Sequence, residues 1–185
     1  MRKLAILILL ALGVAALACG HSNLALPIET TTNGYWEAQL IGGVGDASQL
    51  NFVTNFSVTN TNGGSTEQLS IPSFEFINIQ PCFLTQTPTG TANLTTDTEN
   101  QVTGNVSYTI QSNNPTGNTL KLFTQNSSGA SVGGVSGMTN GATYTTLTNG
   151  VIWGEWTLSS TDSTSTCQGS GTFVMCQGAA TCKIP

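Results

Sequence analysis

The stretch from Tyr144 to Leu158, YTTLTNGVIWGEWTL, decides the fold class. From Val151 onward it alternates: Ile152, Gly154, Trp156 and Leu158 fall on one face, and Val151, Trp153, Glu155 and Thr157 on the other. Period two is the pattern of an extended strand, because successive side chains leave a pleated backbone on opposite sides. Asn149-Gly150 stands just before it and matches the positive-φ pair of a type I′ turn. The spacing therefore predicts a hairpin whose first arm is Tyr144 to Leu147. With an indole on each face, the strand belongs in a closed sheet, one face in the core and the other under a loop or at a rim.

The same rhythm runs outward from it. Trp36, Ala38 and Leu40 share one face; Leu50, Phe52, Phe56 and Val58 form another apolar side, with Asn51, Asn55 and Ser57 opposite. Asn62-Gly63-Gly64 turns the chain. Leu69 and Ile71 hold odd register but Phe74 and Phe76 hold even register, so the side chains change faces across Pro72-Ser73, which predicts a bulge or break there. A short unit recurs at Thr89-Gly90, Thr103-Gly104 and Thr116-Gly117, at the length of one strand plus one turn. It predicts consecutive antiparallel strands in a meander, each beginning with its glycine. Gly129 to Gly141 reads as a long glycine-rich loop, and Ser170 to Met175 as the last strand, with Phe173 and Met175 on one side.

No stretch carries a helical period. Eight to ten strands imply an all-β fold, either an antiparallel up-and-down barrel or a two-layer β-sandwich, because a single open sheet of that size leaves edges and an apolar face uncovered. The barrel is preferred. Gly34-Tyr35-Trp36 resembles the Gly-x-Trp opening strand of lipocalin-like and avidin-like barrels, and Gly154 to Leu158 resembles their late strands. That resemblance implies a barrel with a binding role; it carries no ligand residues beyond this motif. A transmembrane barrel is disfavoured, since lipid-facing apolar positions flanked by aromatic girdles do not recur.

The N-terminus states where such a domain works. Arg2 and Lys3 precede an apolar run of 15 residues, Leu4 to Ala18. At 1.5 Å per residue this run spans only about 22 Å, short of the roughly 30 Å of a bilayer core, so it reads as an export signal rather than a spanning helix. Ala16-Leu17-Ala18-Cys19-Gly20 resembles the lipobox of bacterial lipoproteins, in which the cysteine becomes the lipidated first residue. Ala16-Leu17-Ala18 also suits an ordinary signal peptidase. Five cysteines leave one thiol over in an oxidising compartment, and acylation of Cys19 removes the odd one. The chain thus divides into a signal peptide, 1–18, a lipidated N-terminus and tether, 19–33, and one antiparallel β domain, 34–185. Leu24, Leu26 and Ile28 allow the tether either to hang free or to pack on the domain. Under the lipoprotein resemblance the membrane is a partner through the lipid. Gly20, where that family places Asp for inner-membrane retention, points to the outer membrane or cell surface.

Charge narrows the partners. Without Arg2 and Lys3, two lysines face nine carboxylates, a formal charge of −7. Nucleic acid needs clustered Lys or Arg to neutralise phosphates, so it is excluded as a partner. With 7% of residues charged, the polar surface is built from Thr, Ser, Asn and Gln.

Cys82, Cys167, Cys176 and Cys182 remain for disulfides. If Cys167 to Cys176 is one extended strand its ends lie about 30 Å apart, and Cys182 doubles back only about 20 Å. Cα atoms must come within about 7 Å, which leaves Cys82 with Cys167 and Cys176 with Cys182. A bend at Gly169 or Gly171 would reopen the other pairings. No Cys-x-x-Cys and no second histidine supports a metal, and no cofactor is implied. His21 is the one histidine, two residues from the expected lipid, a poor place for a Ser-His-acid or Cys-His arrangement. Glu155 beside Trp153, with Glu37 as a second carboxylate, is the one acid pair worth weighing for glycoside chemistry, and a surface role for Glu155 is preferred. Gly133-Gly134 lacks the lysine and helix of a phosphate cradle. The chain therefore reads as a non-enzyme. One expectation is a binding domain in which Tyr35, Trp36, Trp153 and Trp156 contact a small apolar or sugar ligand. The other is a structural or protein-interaction module of the envelope, such as an inhibitor, adhesion or assembly component.

Overall fold

The computed structural model describes residues 35–43, 47–58, 67–78, 81–96, 99, 101–113, 117–139 and 147–178. Tyr35–Ile41 forms β1 and buries Trp36, Ala38 and Leu40, the alternate residues that share its apolar face. A 3-10 turn, Ala47–Leu50, leads to β2, Phe52–Val58. Then follow β3 (Glu67–Phe76), β4 (Gln86–Thr96), β5 (Val102–Ser112), β6 (Thr119–Phe123), β7 (Gly134–Thr139), β8 (Leu147–Ser159) and β9 (Gly169–Gln177).

All pairings are antiparallel, in the order β6-β5-β4-β3-β2-β1-β9-β8-β7. The long β8 closes the ring. One of its edges pairs with β9 from Val151 to Leu158. Its other edge takes β7 along 147–153 and β6 along 155–159. β6 and β7 thus share one strand position between β5 and β8, and the sheet is a nearly closed barrel rather than a two-layer sandwich. The ring is weakest between β3 and β4. Among the described residues these strands pair only at Glu67↔Ala92 and Gln68↔Thr91, whereas β4 and β5 pair along 11 residues each. Pro72 and Pro88 lie on the two strands that border this seam and have no N–H to offer an incoming strand, which discourages edge-to-edge association. The aromatic rings of Phe74, Phe76 and Phe83 pack in succession beside it, with centroids 5.0 and 5.3 Å apart.

The barrel interior is filled. Trp36, Phe52, Tyr108, Trp156, Phe173 and Met175 are each at most 2% exposed. Trp36 stacks on Phe56 at 5.1 Å and Phe52 on Tyr108 at 5.6 Å. Pairs of this kind contribute about 0.5–1.5 kcal/mol beyond the area they bury.

The expected bulge at Pro72 is present. Between Asn55↔Ser73 and Ser57↔Ser70, β2 places Phe56 opposite two residues of β3, Ile71 and Pro72. That extra residue is what moves Phe74 and Phe76 into even register.

Three expectations are corrected. Asn149-Gly150 is not a hairpin turn: β8 runs straight through it. Asn149 has φ +54°, and between Ser136↔Val151 and Met138↔Thr148 the pair Asn149 and Gly150 stands opposite the single Gly137. A bulge of the kind that places its first residue in the left-handed region and a type I′ turn both suit Asn-Gly, so one dipeptide serves either. The loop expected over Gly129 to Gly141 contains β7. Gly133 and Gly134 let β7 lie against β8, since a Cβ on Gly133 would overlap the Trp153 carbonyl oxygen and one on Gly134 would stand 3.0 Å from the Trp153 ring. The third concerns the repeated glycines. β4, β5 and β6 do form a meander, but Gly90 lies mid-strand in β4 and Gly104 is the third residue of β5; only Gly117 precedes its strand. Gly90 faces Tyr108 across the ladder, and a Cβ there would come within 2.5 Å of Leu69 Cδ1.

Cys82 and Cys167 are joined, with Cα atoms 5.9 Å apart and a sequence separation of 85. The bridge ties the loop after β3 to the loop before β9. The Asn118 side chain donates to the Cys82 carbonyl at 2.8 Å. β9 pairs with β8 in unbroken register past Gly171, so it does not bend. Cys176, 2% exposed near the end of β9, is disulfide-bonded. Its expected partner Cys182, and the expected lipid site Cys19, lie outside the described residues.

Candidate functional site

The outer wall of β4 and β5 is a ladder of uncharged polar side chains. Ala92 and Leu94 on β4, and Val106, Tyr108 and Ile110 on β5, point inward and are buried. Alternation then sends the intervening residues outward, where the register sets Thr89 opposite Thr109, Thr91 opposite Ser107, Asn93 opposite Asn105 and Thr95 opposite Thr103. The Thr95 and Thr103 hydroxyls are hydrogen-bonded at 3.1 Å.

Two clefts lie along this wall. The larger, about 200 Å³, is bordered by Thr91, Asn93, Asn105, Ser107 and Gln125. The second, about 180 Å³, is bordered by Thr89, Gly90, Thr109 and again Thr91 and Ser107. The shared residues make them continuous. Among the described residues, none that lines either cleft is ionisable.

Two carboxamides in the larger cleft are held in fixed orientations. Thr124 is fully buried; its hydroxyl accepts from the Val106 N–H at 2.9 Å and donates to Asn105 Oδ1 at 3.2 Å. Asn105 therefore presents Nδ2, a donor. Gln125 Nε2 donates to the Gly129 carbonyl at 2.8 Å, so Gln125 presents Oε1, an acceptor. The Gly129 turn is itself fixed, because Asn126 Oδ1 accepts from the Ser128 N–H at 3.1 Å, the Ser128 hydroxyl at 2.7 Å and the Ala130 N–H at 3.0 Å. Phe123 stands beside Ser107 in the ladder, half-buried on the outer side of β6.

The four aromatic residues expected at a ligand site do not converge. Trp36 and Trp156 point inward as core; the Trp156 indole donates to the Ile41 carbonyl at 3.2 Å. Tyr35 is half-buried on the outside, beside a crevice of only about 10 Å³ bordered by Glu37, Val53 and Gly178. Trp153 is half-buried under Gly133 and Gly134. The carboxylates do not meet either. Glu155 shares a row with Thr172 and Ile41, and Glu37 lies four residues back along β1, about 13 Å away along the strand alone. That exceeds the roughly 5–9.5 Å of glycosidase pairs.

Sequence reasoning did not single out Asn105, Gln125 or Thr124. Thr, Ser and Asn are common throughout the chain, and only the strand register brings these together. The Thr-Gly spacing, which predicted adjacent strands, was the one signal pointing to this wall. Comparison with protein-family models, with curated proteins and with solved structures returned no match.

Proposed function

We propose that the chain is a non-catalytic lipoprotein of the bacterial cell envelope, held by acyl chains on Cys19 at the outer membrane or cell surface, whose β-barrel is a binding domain for a sugar ligand. The observation that carries this reading is a contrast: the barrel interior is occupied by Trp, Phe, Tyr and Met side chains, while the continuous clefts lie on the outer wall among hydroxyls and carboxamides. A packed interior leaves no room for an apolar guest, so the sugar branch of the expectation is favoured over the apolar one. The signal-like N-terminus, the odd cysteine count and the disulfide support an extracytoplasmic location.

The second reading is a protein-interaction module of the envelope. It draws on Ile77, 38% exposed, and Leu84, 74% exposed, two apolar residues flanking Cys82 at the rim that carries the disulfide.

The test has two arms. Intact mass of protein extracted from its own envelope should report acylation at Cys19, and Cys19→Ala should release the protein from membranes. The purified soluble domain, applied to an array of neutral and acidic glycans and, separately, to fatty-acid probes, should be retained by neutral glycans and not by fatty acids. An unmodified Cys19 overturns the anchor, and retention by fatty acids alone overturns the sugar reading.

A further inference from the structure

We infer that the larger β4–β5 cleft is a subsite for one uncharged pyranose residue within a glycan chain, gripped through adjacent ring hydroxyls by Asn105 and Gln125 with Phe123 as the flanking ring. The inference rests on the sugar-binding reading above and names where and how the ligand is held.

Charge comes first. None of the described lining residues Thr91, Asn93, Asn105, Ser107 and Gln125 ionises, so this lining offers no counter-charge to a phosphate, carboxylate or ammonium group. Stripping water from such a group without a counter-charge is too costly for a recognition site. A neutral polyhydroxylated ligand carries no such penalty.

Orientation comes second. A free carboxamide can rotate and offer either end, but here one end of each is already committed. Asn105 Oδ1 is taken by Thr124 and Gln125 Nε2 by Gly129. The cleft thus offers one fixed donor and one fixed acceptor, and neighbouring sugar hydroxyls, each able to give and accept a proton, satisfy both at once. Because these side chains are ordered before the ligand arrives, less conformational entropy is lost on binding.

Shape comes third. The second cleft shares Thr91 and Ser107 with the first and continues along the same two strands, so the site suits a chain rather than a single ring. Phe123 beside Ser107 supplies an apolar surface against which the C–H face of a pyranose can lie. A peptide is the competing occupant. Extended peptides bind by adding to a free strand edge, and at this position β4 is paired with β3 through Thr91 and Ala92 and with β5 along its length. At Thr91 and Ala92, in the middle of the wall, recognition therefore goes through side chains.

The test is titration calorimetry of the soluble domain with maltohexaose, cellohexaose and chitohexaose, and with a polyalanine-based soluble peptide as the competitor. At least one saccharide should bind. Asn105→Ala/Gln125→Ala and Phe123→Ala should each weaken it at least tenfold, while Thr87→Ala, on the same wall outside both clefts, should leave affinity unchanged. If a cleft variant does not fold, as judged by its far-UV spectrum and melting, side-chain amide NMR signals of Asn105 and Gln125 in the wild-type domain serve instead, and they should shift on adding saccharide. Saccharide binding at unchanged affinity in the folded cleft variants, or amide signals that stay still, overturns the subsite and leaves the sugar-binding reading standing. No saccharide binding at all overturns both, and binding of the peptide alone overturns both in favour of protein interaction.

Discussion

Tyr108 on β5 donates its phenolic proton to Thr54 on β2, 2.6 Å away. The direction follows from the next link. Thr54 has one hydroxyl proton and donates it to the Ser73 carbonyl at 2.9 Å, so toward Tyr108 it can only accept. β2 and β5 are not neighbours in the sheet, and the bond therefore crosses the barrel interior to end at the bulge of β3. Both residues are fully buried, and both hydroxyls of this relay have a partner.

Tyr108→Phe should cost about 1–2 kcal/mol, the range for a buried hydrogen bond lost with little change of shape. The pH dependence is more diagnostic. Burial raises the Tyr108 pKa well above that of a free phenol, an effect only partly offset by the bond to Thr54. Below pH about 10 both folded and unfolded chains keep this proton and the stability is whole. Above it the unfolded chain ionises first, so stability falls by about 1.4 kcal/mol per pH unit until the folded value is reached. Urea unfolding from pH 8 to 11 should show this slope in the wild type, and Tyr108→Phe should be flatter by that amount. Equal slopes would rule the idea out.

Removing the bridge with Cys82→Ala/Cys167→Ala releases a closed loop of 85 residues' separation. Loop-closure entropy puts the loss at no more than roughly 4.6 kcal/mol, with measured losses for native bridges commonly about 2–5. Melting with and without reductant checks it: the wild type should lose stability on reduction, and the double variant should not respond through this bridge.

Gly171→Ala should destabilise by about 3 kcal/mol. A Cβ at this position would overlap the Ile41 carbonyl oxygen and stand 2.8 Å from Trp156 Nε1, displacing the indole from the acceptor it now uses. Thermal melting would show the loss, and tryptophan emission should report the shifted indole. A variant as stable as the parent would contradict the tight contact of β1 with β9.

Asn149→Gly should be neutral within about 0.5 kcal/mol, whereas Asn149→Val should cost about 1–2 kcal/mol, because a β-branched side chain strains the left-handed conformation at φ +54°. Chemical denaturation of the two variants gives the comparison, and a neutral valine would argue against the bulge.

Much of this architecture is written in residue parity. Trp36, Ala38 and Leu40 are buried as their alternation implies, and the change from odd to even between Ile71 and Phe74 marks the bulge, because an extra residue in one strand has no other way to return the aromatics to the core. Glycine was the ambiguous letter. It ends strands, kinks them or makes room for a neighbour, and the sequence around Gly134 does not reveal that Trp153 lies against it. The candidate cleft was hidden for a related reason. Asn105 and Gln125 acquire their roles from Thr124 and Gly129, through a register and a turn that no single residue announces. Trp36 and Trp156, conspicuous in the sequence, turned out to be interior packing.

The Gly178 N–H donates to the Tyr35 carbonyl at 3.0 Å, so the outer ends of β1 and β9 lie side by side at one rim. Tension applied to the flanking segments would then load the β1–β9 ladder one hydrogen bond at a time, as in opening a zip, rather than shearing all of them together. Peeling from that rim releases β1, β2, β3 and β9 and halts at Cys82 and Cys167, between which β4 to β8 are held. A domain pulled on by whatever it is fastened to would yield at its outer strands while the wall bearing the clefts stays inside the covalent loop.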